Sequence, residues 1–259
     1  MEDLKGITRP ESIDWDSWTK RWDQMQERYL AERSERFNQI VKIIKATQPE
    51  ASRILDIGCG TGSLSQRLLK ELPNVELHCV DIDPTMLWIT ESLKTKFEDR
   101  IQIYRLDLRD NSWAKNFSLP FDAVVSATAL HWLNACQLNT LYQTIGQLLC
   151  SGGIFLNADH VGSESLKIQK YWKACREKLR SIENNNASDD WDSFWSSYSK
   201  ALKLDVNKIH NHLFKDREGG PEDGLPLSWH VDRLRENGFS MVDCFWRCNC
   251  DAIYGGLKE

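Results

Sequence analysis

The stretch Ile54-Leu55-Asp56-Ile57-Gly58-Cys59-Gly60-Thr61-Gly62 decides the fold of this 259-residue chain. An apolar run leads to an acid and then to three glycines on alternate positions. Leu64, Leu68, Leu69 and Leu72 follow at helical spacing. The pattern predicts a buried strand, a tight turn and a helix, in that order. Glycine lets the turn take positive φ and lets a ligand approach the backbone without meeting a Cβ. The new helix adds N–H groups with no partner inside it. Such a turn lies at the carboxyl end of a strand, where open α/β sheets bind their ligands. The spacing is G-x-G-x-G, not the G-x-G-x-x-G of dinucleotide sites. Asp56 also suits a ligand carrying an ammonium better than one bringing a pyrophosphate.

The same logic extends along the chain. Val75–Val80 reads as a second strand ending at Asp81, nineteen residues beyond Gly62. That is the distance at which a nucleotide-binding α/β unit sets an acid on ribose hydroxyls. Asp83-Pro84 opens a helix, with Asp as N-cap and Pro at its first position. Ile101–Leu106 is a third strand, followed by Asp107-Leu108. Phe121–Thr128 is a fourth, running into Ala129-Leu130-His131-Trp132-Leu133. An amphipathic helix on Leu138, Leu141, Ile145, Leu148 and Leu149 stops at Ser151-Gly152-Gly153, and Ile154–Ala158 is a fifth strand ending in Asp159-His160.

Before the glycine turn, residues 12–47 read as two helices ended by Pro49. One carries an aromatic stripe of Trp15, Trp18, Trp22, Met25 and Tyr29; the other an apolar face of Phe37, Ile40, Val41 and Ile44. After the fifth strand, Ile168, Tyr171, Trp172, Cys175, Leu179 and Ile182 suit one helix. Trp191, Phe194, Trp195, Tyr198 and Leu202 suit another, most of these side chains docking the insertion on the core. Residues 183–190 (ENNNASDD) and 218–226 (EGGPEDGLP) read as a polar loop and a breaker. A helix over 231–237 and strands at Phe239–Arg247 and near Ala252–Leu257 close the chain.

Taken together, Asp56-x-Gly58-x-Gly60-x-Gly62, Asp81 and Asp107 after three successive strands closely resemble the class I S-adenosylmethionine (SAM) methyltransferases. The resemblance covers roughly residues 50–160 and the last thirty or so. The segments Arg28-Tyr29-Leu30, Glu35-Arg36-Phe37, Ala129–Leu133 and Asn157–His160 look most like bacterial small-molecule members. It implies a Rossmann-like, doubly wound, mostly parallel sheet of seven strands, the last antiparallel. It also divides the chain into an N-terminal helical lid (1–48), a cofactor-binding core (49–161), a helical insertion or substrate cap (162–226) and a closing helix with strands (227–259).

The cofactor implied is SAM, with S-adenosylhomocysteine as its product. On the family's pattern Asp56, Gly58, Cys59, Gly60 and Gly62 hold its methionine end, and Asp81 and Ile82 its ribose. Met86 and Leu87 lie along the adenine, Asp107 accepts from its amino group with Leu108 beside it, Ala127 lies near the donor sulfur, and Tyr29 and Arg33 reach from the lid, the guanidinium gripping the carboxylate. Methyl transfer mainly requires holding nucleophile and methyl carbon in line. A base is needed only when the nucleophile carries a proton, and histidine suits that near neutral pH. His131, just after strand four, is the first candidate and His160 the second, with Asp159 placed to orient an imidazole. A capping role is the simpler reading of His230, and His210 and His212 carry little signal.

Composition narrows the classes. The net charge is −5 with no long basic run, which argues against a broad nucleic-acid surface. No apolar stretch approaches the roughly 20 residues that span a bilayer, and residues 1–12 lack a signal-peptide pattern, so a cytoplasmic protein is expected. Eight cysteines are mostly scattered and read as free thiols. No Asn-Pro-Pro-aromatic or Pro-Cys sequence follows strand four, and Ser126–Leu133 offers no acid for a catechol-type metal site, so no metal is expected. The expectation is methyl transfer to oxygen or nitrogen of a small metabolite. The alternatives are an RNA- or protein-directed methyltransferase, or a SAM-binding protein without catalysis.

Overall fold

A computed structural model describes residues 8–30, 32–182, 189–215 and 224–259. The expected loop at 183–188, the breaker at 218–223 and residues 1–7 lie outside them, as do the side chains of Leu179 and Ile182. Ten α-helices are described: α1 Trp15–Glu27, α2 Arg33–Thr47, α3 Ser63–Glu71, α4 Pro84–Thr90, α5 Lys94–Phe97, α6 Ala135–Leu148, α7 Leu166–Ile182, α8 Trp191–Leu202, α9 Val206–Leu213 and α10 Leu227–Glu236. The strands are β1 Arg53–Ile57, β2 Glu76–Asp81, β3 Ile101–Arg105, β4 Phe121–Ala127, β5 Leu149–His160, β6 Phe239–Cys248 and β7 Asp251–Lys258.

The seven strands form one sheet in the order β3-β2-β1-β4-β5-β7-β6. The first five run parallel, and β7 lies antiparallel between β5 and β6. The order reverses between β1 and β4, so the crevice for a ligand opens at their carboxyl ends. Successive residues of β1 serve opposite faces. Ile54 packs with Phe37, Ile40 and Ile44 of α2 and Leu64 and Leu68 of α3, whereas Leu55 and Ile57 pack with Leu138, Tyr142 and Ile145 of α6 and Leu234 of α10. All three strand residues are wholly buried, each contributing about 1.5–3 kcal/mol of apolar burial.

A third cluster sits above the sheet edge. Trp15, Trp18 and Met25 of α1 pack with Phe194, Trp195 and Tyr198 of α8 and with Met86 and Trp88 of α4. Trp18 meets Phe194 edge-on with centroids 5.5 Å apart, a geometry that aromatic quadrupoles favour. The N-terminal helix and the insertion therefore share one small core. The aromatic face of α8 is docked as expected, but that of α7 is not. Ile168 and Tyr171 are 45% and 62% exposed, because α7 turns only one narrow side to the protein. β5 begins at Leu149, earlier than expected, since Ser151-Gly152-Gly153 continue the strand after the helix stops. No described helix is long and apolar enough to cross a membrane.

Candidate functional site

The glycine turn leaves β1 with Gly58 at φ +67° and Gly60 at +55°. A Cβ on Gly58 would stand 2.4 Å from the Ala129 Cβ, so the turn packs directly under the segment after β4. The Gly58 and Cys59 amides donate to Val80 O at 2.8 and 3.0 Å, and the Gly60 amide donates to Asp81 Oδ2 at 2.8 Å. Gly62 precedes α3 at φ +77°.

Asp56 is wholly buried. Its Oδ2 accepts from Ser65 Oγ at 2.5 Å, while Oδ1 has no hydrogen-bond partner. Burial pushes its carboxyl up to about 7; the Ser65 bond offsets part of this and the Asp81 charge adds to it. A buried acid with an orphaned oxygen beside a second acid fits a ligand that brings a positive group. The Cys59 thiol is raised well above its ordinary value by burial and the adjacent Cys79, which keeps it protonated.

Asp81 ends β2. Its Oδ1 accepts from the Asp83 amide at 2.9 Å and its Oδ2 from Gly60. Each oxygen keeps a second lone pair for a hydroxyl. Burial raises this carboxyl to about 6, against the bonds from the Asp83 and Gly60 amides. Asp83 caps α4 through the Thr85 and Met86 amides. Its Oδ2 also meets His210 Nε2 at 2.6 Å. Burial would raise Asp83, but the bond to His210 and its charge outweigh burial and lower it. Ile82 packs against Ile209 and Leu213 of α9, and the Met86 side chain closes over Gly60.

Asp107 takes a two-pronged contact from Arg109, with nitrogens 2.8–3.1 Å from its oxygens. Arg109 Nη2 also donates to Leu213 O at 3.0 Å. Leu108 and Ala127 are half-buried, each against the core of its own sheet face. The acid expected at the adenine is thus engaged by a neighbouring arginine that also holds α9.

Tyr29 and Arg33 belong to the α1–α2 corner. The Tyr29 hydroxyl accepts from the Trp191 amide at 3.1 Å. Arg33 Nη1 donates to Asp23 Oδ1 at 2.9 Å and its guanidinium lies over the Phe37 ring. Asp23 Oδ1 also accepts from Ser63 Oγ at 2.6 Å, so the expected carboxylate grip of Arg33 is spent on Asp23 in this conformation.

The two candidate histidines come together. His131 Nδ1 lies 2.7 Å from Asp159 Oδ1, and its amide donates to Asp159 Oδ2 at 3.0 Å. The His131 and His160 rings are 5.3 Å apart. Burial alone would raise Asp159; the charge and bond of His131, with His160, more than offset this and hold it well below the usual carboxylate range. A buried ionised acid thus fixes one imidazole face and leaves Nε2 for other chemistry. His160 Nδ1 sits 2.7 Å from Asp251 Oδ1 at the start of β7.

His230 is no cap. It lies inside α10, where Nδ1 is 2.7 Å from Tyr142 Oη and 3.1 Å from Tyr254 Oη. Burial lowers it to about 4, so it stays neutral. His131, Asp159, His160, His230 and Tyr254 line one small cavity closed by Gly224 and Leu225. Sequence reading missed His210, Arg109, Arg36 and Asp251. Asp205, whose side chain caps α9 through the Lys208 amide, was the available signal for the helix that carries His210.

A family model described as a methyltransferase domain matches residues 55–155. The chain is 27% identical over 149 residues to the carboxy-S-adenosyl-L-methionine synthase of Campylobacter lari, covering 58% of this chain and 62% of that one. It is 24% identical over 162 residues to the malonyl-[acyl-carrier protein] O-methyltransferase of Priestia megaterium, covering 62% and 56%. It thus spans less than two thirds of these curated relatives. Its fold is similar to the crystal structure of an O-methyltransferase family 2 protein from Planctomyces limnophilus in complex with apigenin, with a TM-score of 0.57, 19% identity, and 96% and 63% of the two chains covered. Residues 55–155 thus match a methyltransferase domain, and the acid–glycine turn of β1, the acid ending β2 and the antiparallel β7 make the chain similar to the class I SAM-dependent methyltransferases.

Proposed function

We propose that this protein binds SAM at the carboxyl ends of β1, β2 and β4 and methylates an oxygen or nitrogen of a small-molecule acceptor. SAM, when bound, supplies a methyl group already activated on a sulfonium. The residues fit it: Asp56 and Asp81 are acids that a positively charged ligand would ionise, Asp56 Oδ1 awaits a donor, and the turn takes positive φ at Gly58, Gly60 and Gly62. Asp81 takes ribose hydroxyls with Ile82 beside it, Met86 flanks the base, and Gly58, Cys59, Gly60 and Gly62 shape the turn. Tyr29, Arg33, Asp107, Leu108 and Ala127 complete the proposed surround. Arg33 and Asp107 must then exchange their present partners or serve through them.

The observation that carries the catalytic reading is the His131–Asp159 pair. The buried carboxylate accepts from Nδ1–H and leaves Nε2 unprotonated. Nε2 takes the proton of an acceptor hydroxyl or ammonium as the new bond forms, and Asp159 stabilises the resulting imidazolium. His160, the second candidate, stands across from it.

The test is methyl transfer from labelled SAM to fractionated metabolites, with wild type and His131→Ala. His131→Ala should keep its affinity for S-adenosylhomocysteine while turnover falls about 10²-fold or more. Equal turnover removes His131 from the mechanism. The relatives that act on malonyl groups favour a second, narrower reading, in which the acceptor oxygen belongs to a carboxylate and needs no base. His131→Ala would then leave kcat nearly unchanged.

A further inference from the structure

Arg36 of α2 is 1% exposed, and its Nε, Nη1 and Nη2 are all buried without a hydrogen bond. The carboxylate it faces, Asp251 Oδ1, stands 3.6 Å from Nη1, beyond hydrogen-bond reach. Arg21, Arg33 and Arg109 behave differently. Arg21 holds Asp189 at 2.8 and 3.0 Å, Arg109 grips Asp107 with two prongs, and Arg33 meets Asp23 at 2.9 Å. A guanidinium has five N–H donors, and burying them without acceptors is among the costliest things a fold can do. A merely structural Arg36–Asp251 ion pair would close to the distances those other pairs reach.

The position is informative. Asp251 opens β7 beside the end of β5, so Arg36 lies at the same sheet edge as His160 and, one ring further, His131. His160 Nδ1 and Asp251 Oδ1 are close in distance but misaligned, and both lack a hydrogen bond. Unmet donors therefore gather around Asp251, one ring away from the candidate base. His160, Cys250 and Asp251 also carry donor atoms within 4.8 Å of one another, a spacing that would suit a metal ion. The Arg36 charge beside that carboxylate opposes a divalent cation and favours an anion.

We propose that Arg36, with His160 beside it and Asp251 steadying the guanidinium, is an acceptor subsite that binds a carboxylate. This rests on the methyltransferase reading and narrows it to acceptors that carry an acid. A planar carboxylate matches the guanidinium fork, supplying the acceptors its N–H groups lack. The bound acid then holds the nucleophile near His131.

The test is calorimetric titration of the full chain saturated with S-adenosylhomocysteine, using malonate, succinate and neutral malonamide as probes, on wild type, Arg36→Met and Arg36→Lys. At least one dicarboxylate should bind wild type, and malonamide should not. Affinity should fall by about tenfold or more in Arg36→Met and by a smaller factor in Arg36→Lys. S-adenosylhomocysteine affinity should move by less than about threefold in both. Where Arg36→Met does not fold, Arg36→Lys, which keeps the charge and loses the fork, carries the comparison. The proposal is overturned by no carboxylate binding to wild type, by equal binding in the variants, or by a tenfold loss of cofactor affinity in Arg36→Lys. Stoichiometric zinc binding abolished by Cys250→Ser would also overturn it. Failure of S-adenosylhomocysteine to bind wild type would instead sink the methyltransferase reading, and the same carboxylate titration on the free chain would then judge the subsite alone.

Discussion

At the scale of single residues, Asp56 and Asp81 hold protons that ordinary carboxylates would have lost. Burial raises them to about 7 and about 6, against roughly 3.9 in an unfolded chain. Between about pH 4 and pH 7 the folded state therefore binds more protons than the unfolded one. These two acids contribute stability that is fully present below the unfolded value and lost as pH rises through the folded values. Asp159 works in the opposite sense: its contribution is present above the unfolded value and lost as pH falls toward its depressed one. A positively charged ligand reverses the balance at Asp56 by favouring its ionised form. SAM affinity measured by calorimetry should thus rise about tenfold between pH 6 and pH 8, with proton release on binding, and Asp56→Asn should flatten the curve. A wild-type affinity independent of pH would show that Asp56 does not titrate with the ligand.

Among the elements, the core that α1 and α8 share matters most. Phe194 is wholly buried between Trp18, Trp22 and Trp195. Phe194→Ala should cost about 3–5 kcal/mol in urea unfolding, with amide exchange rising in both helices. A loss confined to α8 would mean that the two do not form one unit. α9 is clasped to the loops after β2 and β3 by His210 on Asp83 and by Arg109 on Leu213 O. His210→Ala should speed amide exchange in α9 by about tenfold while leaving the sheet unchanged; slow exchange throughout α9 would show the clasp to be incidental.

Much of this architecture was legible in the chain. β1, its glycine turn and α3 follow from apolar run, glycine spacing and leucine period, and Asp83-Pro84 marks the start of α4 outright. What was not legible were contacts between distant segments. His210 looked inert because its partner lies 127 residues away. The exposure of Tyr171 was hidden because an apolar period shows which side of a helix is apolar, not what covers it. The two candidate histidines were visible as neighbours of strand ends, but Asp251, which completes the second pair, comes from the other end of the sequence.

On the scale of the whole molecule, an acidic chain with a single sheet gathers its charges of chemical interest at one edge. Asp56 and Asp81 lie at the ends of β1 and β2, His131 follows β4, and the His160–Asp251 pair spans β5 and β7. The account stands on the first of these groups being a SAM site. The measurement that tests it most directly is calorimetric titration of wild type and Asp81→Ala with SAM and S-adenosylhomocysteine. Micromolar binding of about 8 kcal/mol, weakened by about 1–3 kcal/mol when the ribose acid is removed, is the predicted result. Absence of binding to wild type, or equal binding by the variant, would contradict it.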